Sequence, residues 1–173
     1  ITRSSLRTSA ATFLQSVADS APAAIHRRIA EDGLELIRLS SSDDPVAALL
    51  EGFGGLPSPS RIWAVGKLAR AGDGRAIELL YRVVSDVDEE EEVRVSAGAA
   101  LATFGSEAEP QIRRLLGQED ALSRAIGGLA AMRVGGASLA TEVQNAESEG
   151  FVRKCLAIAR TSHALRLGLD EVR

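Results

Sequence analysis

The side chains best suited to nucleophilic, acid–base or metal chemistry are few in this chain and are scattered. His26 and His163 are its only histidines. His163 falls in the register that Ala71, Phe104 and Val134 occupy elsewhere, which favours a packing or boundary role over catalysis. Cys155 stands beside Arg153 and Lys154, cations that would favour a thiolate, but a small thiol at that helical register is more simply a packed core residue. As the single cysteine it excludes an internal disulfide and a cysteine-based zinc site, and makes a reducing, cytoplasmic setting the default expectation.

Two denser features resemble ligand loops without completing them. The run Asp86-Val-Asp-Glu-Glu-Glu-Glu92 lacks the alternating ligands and glycine of a calcium loop. It reads as a solvated connector whose last glutamates favour the positive start of the next helix. Gly72-Asp-Gly74 followed by Arg75 lacks the lysine and hydroxyl of a phosphate loop and reads as a turn. Gly127-Gly128 and Gly135-Gly136 follow no evident strand, so they serve close helix contact rather than a nucleotide. No catalytic residue, metal site or cofactor is expected, and the chain reads as a non-enzyme.

What remains is charge displayed on helices, and a repeat sets those helices out. Arg61, Arg94 and Arg124 each open the pattern Arg-x-x-(Ala/Gly)-x-x-x-(Leu/Ala)-x-x-x-Gly, and a fading copy starts at Arg153. The spacings of 33, 30 and 29 residues match the period at which one helix pair stacks on the next. Glu90, Asp120 and Glu149 stand four residues before Arg94, Arg124 and Arg153, a spacing at which acid and arginine can pair across one turn.

Around the repeats the apolar positions keep a helical period. Leu6, Ala10, Phe13, Leu14 and Val17 form a first stripe that a core can use. Ile25, Ile29, Gly33, Leu36 and Ile37 form a second, with Gly33 placed to kink or split its helix. Asp44 and Pro45 give an N-cap and first residue to a third helix. Ser58 and Pro59 then start the first clear repeat, Gly72 stops its first helix, and Asp73 caps the second. Gly105 stops the next first helix, while Ser106 and Glu109 have capping-box spacing for its partner near 107–117. A third pair near 120–134 and 138–146 and a last helix near 149–167 complete the chain.

The copies, best at Val93-Arg94, Ala97, Leu101 and Gly105, resemble the HEAT-like repeats named after phycobilisome lyase subunits. The likeness is good over 59–134, decays toward Gly168 and reaches Pro22 only as a degenerate pair. It implies an all-α, right-handed α-solenoid of antiparallel helix pairs. Residues 1–173 would form one domain, with irregular helices at 1–56, clear repeats at 57–135 and a degenerate capping repeat at 136–173. Family members bind proteins, other macromolecules or occasionally a pigment, and nothing in the repeat pattern is catalytic. Iron-binding HEAT proteins of the deoxyhypusine hydroxylase type use repeated His-Glu pairs, which His26-Arg27 and His163-Ala164 do not supply.

Composition narrows the partner. A net charge of −4 argues against nucleic acid as the general partner, and no apolar run approaches the length of a membrane span. Ile1–Ser16 carries Arg3 and Arg7 and no acid, which leaves organellar targeting open, although a core helix is the preferred reading. An opening Ile reads as a processed or excised chain.

The expected function is a protein-binding scaffold that uses its second helices, the concave face of such solenoids. Arg75, Glu78 and Arg82 would project from one, Gln111, Arg113 and Arg114 from the next, and Glu142 and Asn145 from the third. The arginine-rich centre suits carboxylates or phosphates. A pigment (bilin) lyase subunit or chromophore chaperone is the alternative, drawing on Trp63 and Tyr81, and a nucleic-acid module is a weaker one.

Overall fold

A computed structural model of the chain describes residues 3–21 and 23–134 and, beyond them, Thr141, Asn145, Glu147, Gly150, Val152, Arg153 and Ala157. Among these residues the fold is all-α. Two compact units divide the chain, Ile1–Lys67 and Leu68–Arg173.

In the first unit α1 (Arg3–Ser20) packs along α2 (Ala24–Ser40), and α2 packs on α3 (Pro45–Gly52). The Asp44 carboxylate accepts from the Ala47 amide at 3.0 Å, so the expected cap of α3 forms, with Pro45 where no amide hydrogen is needed. α2 runs through Gly33 unbroken, so the glycine does not split it. A glycine inside a helix costs about 1 kcal/mol, but the missing side chain makes room for Leu14 of α1, whose Cδ1 lies 2.9 Å from where a Cβ would stand.

The first apolar stripe is only partly used. Leu14 and Val17 are half-buried, whereas Leu6 and Phe13 are 57% and 66% exposed. On α2, Ile25 and Ile29 are equally open, while Ala30 and Leu39 are buried. With Leu49, Phe53, Leu56, Ala64 and Val65 these last make the unit's core. α4 (Ser58–Ala71) begins one residue ahead of Pro59, and Ser58 accepts from the Arg61 guanidinium inside the first turn.

In the second unit, α5 (Ile77–Ser85) packs on α6 (Glu91–Leu101), α7 (Glu109–Leu116) on α8 (Ala121–Arg133), α5 on α7, and α6 on α8. Gly72 and Gly105 have φ of 63° and 60°, a backbone that favours glycine, at the two places where the repeat pattern ends in that residue. Asp73 accepts from the Arg75 amide at 3.0 Å and caps the short 3-10 turn leading into α5. The capping box at Ser106 and Glu109 does not form: residues 102–108 run as 3-10 turns, α7 starts at Glu109 itself, and Glu109 is drawn to Arg113 instead.

Leu68, Leu80, Val84, Val93, Leu101, Ile112 and Leu115 are fully buried, each contributing about 1.5–3 kcal/mol through lost apolar hydration. Two glycines set how closely the helices approach. A Cβ on Gly98 of α6 would overlap the Ile126 Cγ2 methyl of α8, and one on Gly127 would stand 2.8 Å from Leu115 Cβ of α7. Most of the expected helices at 138–146 and 149–167 lies outside the described residues, as do Gly135, Gly136, Cys155, His163 and Glu142.

Candidate functional site

The face made by α5 and α7 carries most of the expected binding residues. Glu78 is its hub, accepting from Arg114 Nη1 at 3.3 Å and from Gln111 Nε2 at 3.5 Å, across from one helix to the other. The Arg114 guanidinium also lies over the Tyr81 ring, 3.9 Å from its centroid, and the Tyr81 hydroxyl accepts from Gln118 at 2.9 Å. Arg113 pairs with Glu109 one turn back at 2.6 Å, and Arg75 folds onto its own capping residue Asp73 at 2.7 Å.

The arginine-rich centre is therefore largely neutralised by acids of the same face, and what it presents is alternating charge. Arg82 differs: it is exposed and has no ion pair among the described residues. Asn145 is exposed, and Glu142 lies outside the described residues.

Tyr81, Glu109 and Gln118 also belong to this ridge, beyond the residues expected to bind a partner. A signal for Tyr81 existed. Gln111 lies 33 residues after Glu78, the interval between Arg61 and Arg94, and Arg114 lies the same interval after Tyr81. Residues one period apart on stacked helices come abreast.

The repeated arginines do something other than the expected pairing. Arg94 is 5% exposed. Its Nε donates to the Val84 carbonyl at 2.9 Å, and its Nη2 donates to the Ser123 hydroxyl at 3.0 Å and to the Asp120 carboxylate. Ser123 Oγ in turn donates to the Val84 carbonyl at 3.2 Å, so α5, α6 and α8 meet at one buried polar knot.

Arg124 repeats the arrangement one period on. Its guanidinium grips Glu147 at 2.6 Å and donates to the carbonyls of Gln118 and Glu119. The local pairs Glu90–Arg94 and Asp120–Arg124 are thus replaced by pairs reaching into the following copy. Glu90 and Asp120 are N-caps with extended backbones, and the i,i+4 rule holds only for residues inside the helix.

Asp120 spends its carboxylate on the Ser123 amide at 2.8 Å and on Arg94. Burial pushes its carboxyl up, but the Ser123 amide and the Arg94 guanidinium outweigh burial and hold it below the ordinary value of 3.8.

In the acidic run, Asp86 accepts from the Asp88 amide, Glu89 from the Glu90 amide, and Glu91 and Glu92 open α6. Among the described residues no three or more His, Cys, Asp or Glu side chains are grouped to hold a metal ion. His26 is exposed on α2. Trp63 has Lys67 over its ring at 4.9 Å, and Tyr81 is buried beneath Arg114. No helix among the described residues is long and apolar enough to cross a membrane. No family model, no curated protein and no solved structure matches the chain.

Proposed function

We propose that the chain is a HEAT-like α-solenoid, a right-handed superhelix of antiparallel helix pairs, that works as a non-enzymatic protein-binding scaffold through its α5–α7 face. The observation that carries this reading is the cross-linking of exposed charges between α5 and α7. Glu78 and Arg114 are each about half-exposed yet bound to one another across the helices. Side chains already held in place lose less rotamer freedom on binding, which otherwise costs about 0.5–1.5 kcal/mol for each long side chain immobilised. The partner would bring its own alternating charges: a carboxylate for Arg82 and Arg113, a cation for Glu78 and Glu109. Partner choice would come from matching this order of charges rather than from net charge.

Affinity capture from an extract, with the proteins identified by mass spectrometry, tests the reading. The combined variant Arg82→Glu, Arg113→Glu and Arg114→Glu should lose the proteins that the parent chain retains, with its far-UV circular dichroism unchanged. Equal recovery of the same proteins by a folded variant would remove this face from the function.

A further inference from the structure

The opposite layer of the second unit has a different character. Val95, Gly98, Ala99 and Ala102 of α6 and Ile126, Leu129, Ala130 and Arg133 of α8 line an open groove of about 180 Å³. That is too small for a drug-sized ligand, whose sites run to roughly 300–1,000 Å³, and suits one or two side chains. Val95 and Leu129 stand 48% and 40% exposed beside it. At Val95 the groove joins a shallow depression bordered by Glu91, Glu92 and Ser96. Glu91, Glu92 and Arg133 are exposed and have no ion pair among the described residues. The groove is therefore apolar along its length, anionic at one end and cationic at the other. Ten residues of helical rise, from Glu92 to Ala102, set the ends about 15 Å apart.

The chain carries a helix with the complementary pattern. α1 exposes Leu6, Ala10 and Phe13, spaced i, i+4 and i+7 along one face. Arg7 stands near its start on the flank of that face, exposed and with no ion pair among the described residues. Seven residues separate Leu6 from Phe13, a rise of about 10 Å that fits within the groove. Charge and length both match the groove when α1 runs in the same direction as α6, which brings Arg7 to the acidic end.

We infer that α1 of one copy of the chain docks into the α6–α8 groove of a second copy, Phe13 or Leu6 entering beside Leu129 and Val95 and Arg7 facing Glu91 and Glu92. The two surfaces differ, so the contact is heterologous and each copy retains one unused half for the next. This surface is separate from the α5–α7 face, and either proposal stands without the other.

Sedimentation velocity on the full chain over a range of concentrations tests the inference. Mass should rise with concentration and fall as salt is added, since the end charges are exposed. Phe13→Asp and Leu129→Asp should each weaken association by at least about tenfold. An equimolar mixture of the two variants should form dimers and nothing larger, because the first retains its groove and the second its α1. Reversal of the charge at Arg7 (R7E) should weaken association, and E91R with E92R in the same chain should restore it. All substituted positions are exposed, so the charge exchange tests the contact even if an apolar replacement disturbs folding. A chain that is monomeric at every concentration, association indifferent to both Asp variants, or a monomeric mixture of folded variants would each overturn the inference.

Discussion

Two sets of arginines in the second unit make the same kind of bond with opposite consequences. Arg113 and Arg114 lie on the α5–α7 face and pair with Glu109 and Glu78 while more than half of each guanidinium side chain stays in water. Arg94 pairs with Asp120 in the interior, its side chain only 6% exposed. In water an ion pair is screened and is replaced at little cost by hydration. In the interior a lone guanidinium has no such replacement. Arginine count and spacing say nothing of this difference. It is set by which acid the backbone brings near, and by how much solvent remains.

The largest contrast should appear on removing one interior partner. Asp120→Ala leaves the Arg94 charge buried without its anion and strips the cap from α8, so a loss of about 3–4 kcal/mol is expected in urea unfolding. Asp120→Asn keeps a capping oxygen and should cost less. Combining it with Arg94→Met removes the stranded charge as well, and should recover stability relative to Asp120→Asn alone; a double variant weaker than both singles would mean that the knot is not held by its charge.

The same knot predicts a pH dependence. The Asp120 carboxyl titrates below its ordinary value of 3.8 in the folded chain, so between the two values the unfolded chain binds more protons and stability rises with pH. The contribution is complete above the ordinary value and is lost as pH falls through the folded one. The stability gap between the parent and Asp120→Asn should therefore be constant near neutrality and close below about pH 4. A gap that stays constant into stronger acid would show that this carboxylate is not the group being titrated.

How far the sequence foretold these two regions follows from what periodicity can encode. Spacing located the helices, the glycine turns at Gly72 and Gly105 and the caps Asp44 and Asp73, because these are decided within a few residues of backbone. It also placed Glu78, Gln111 and Arg114 on one face. It misassigned the partners of Arg94 and Arg124. Asp120, four residues before Arg124, looks like its helix partner until it proves to be the cap of α8, its carboxylate turned to the Ser123 amide and to Arg94. The groove between α6 and α8 was hidden for a related reason. It depends on Gly98 admitting Ile126, and the closeness of two helices is a property of the pair that neither helix shows alone.

On the exposed face the effects should be small in stability and large in recognition. Arg114→Ala loses the Tyr81 stack and a half-exposed pair with Glu78, together about 1 kcal/mol. Arg113→Ala loses only an i,i+4 pair and should change urea stability by less than about 0.5 kcal/mol. Its position is what makes Arg113 informative. It is bound within α7 alone, whereas Arg114 ties α7 to α5, so replacing Arg113 removes a displayed charge without loosening the ridge beneath it. If the face binds a protein, Arg113→Ala should weaken capture of the retained partner while the unfolding curve stays in place, and Arg113→Lys should restore part of it by returning the charge without the planar fork. Binding and stability falling together would place Arg113 with the interior arginines, and the distinction between the two sets would fail.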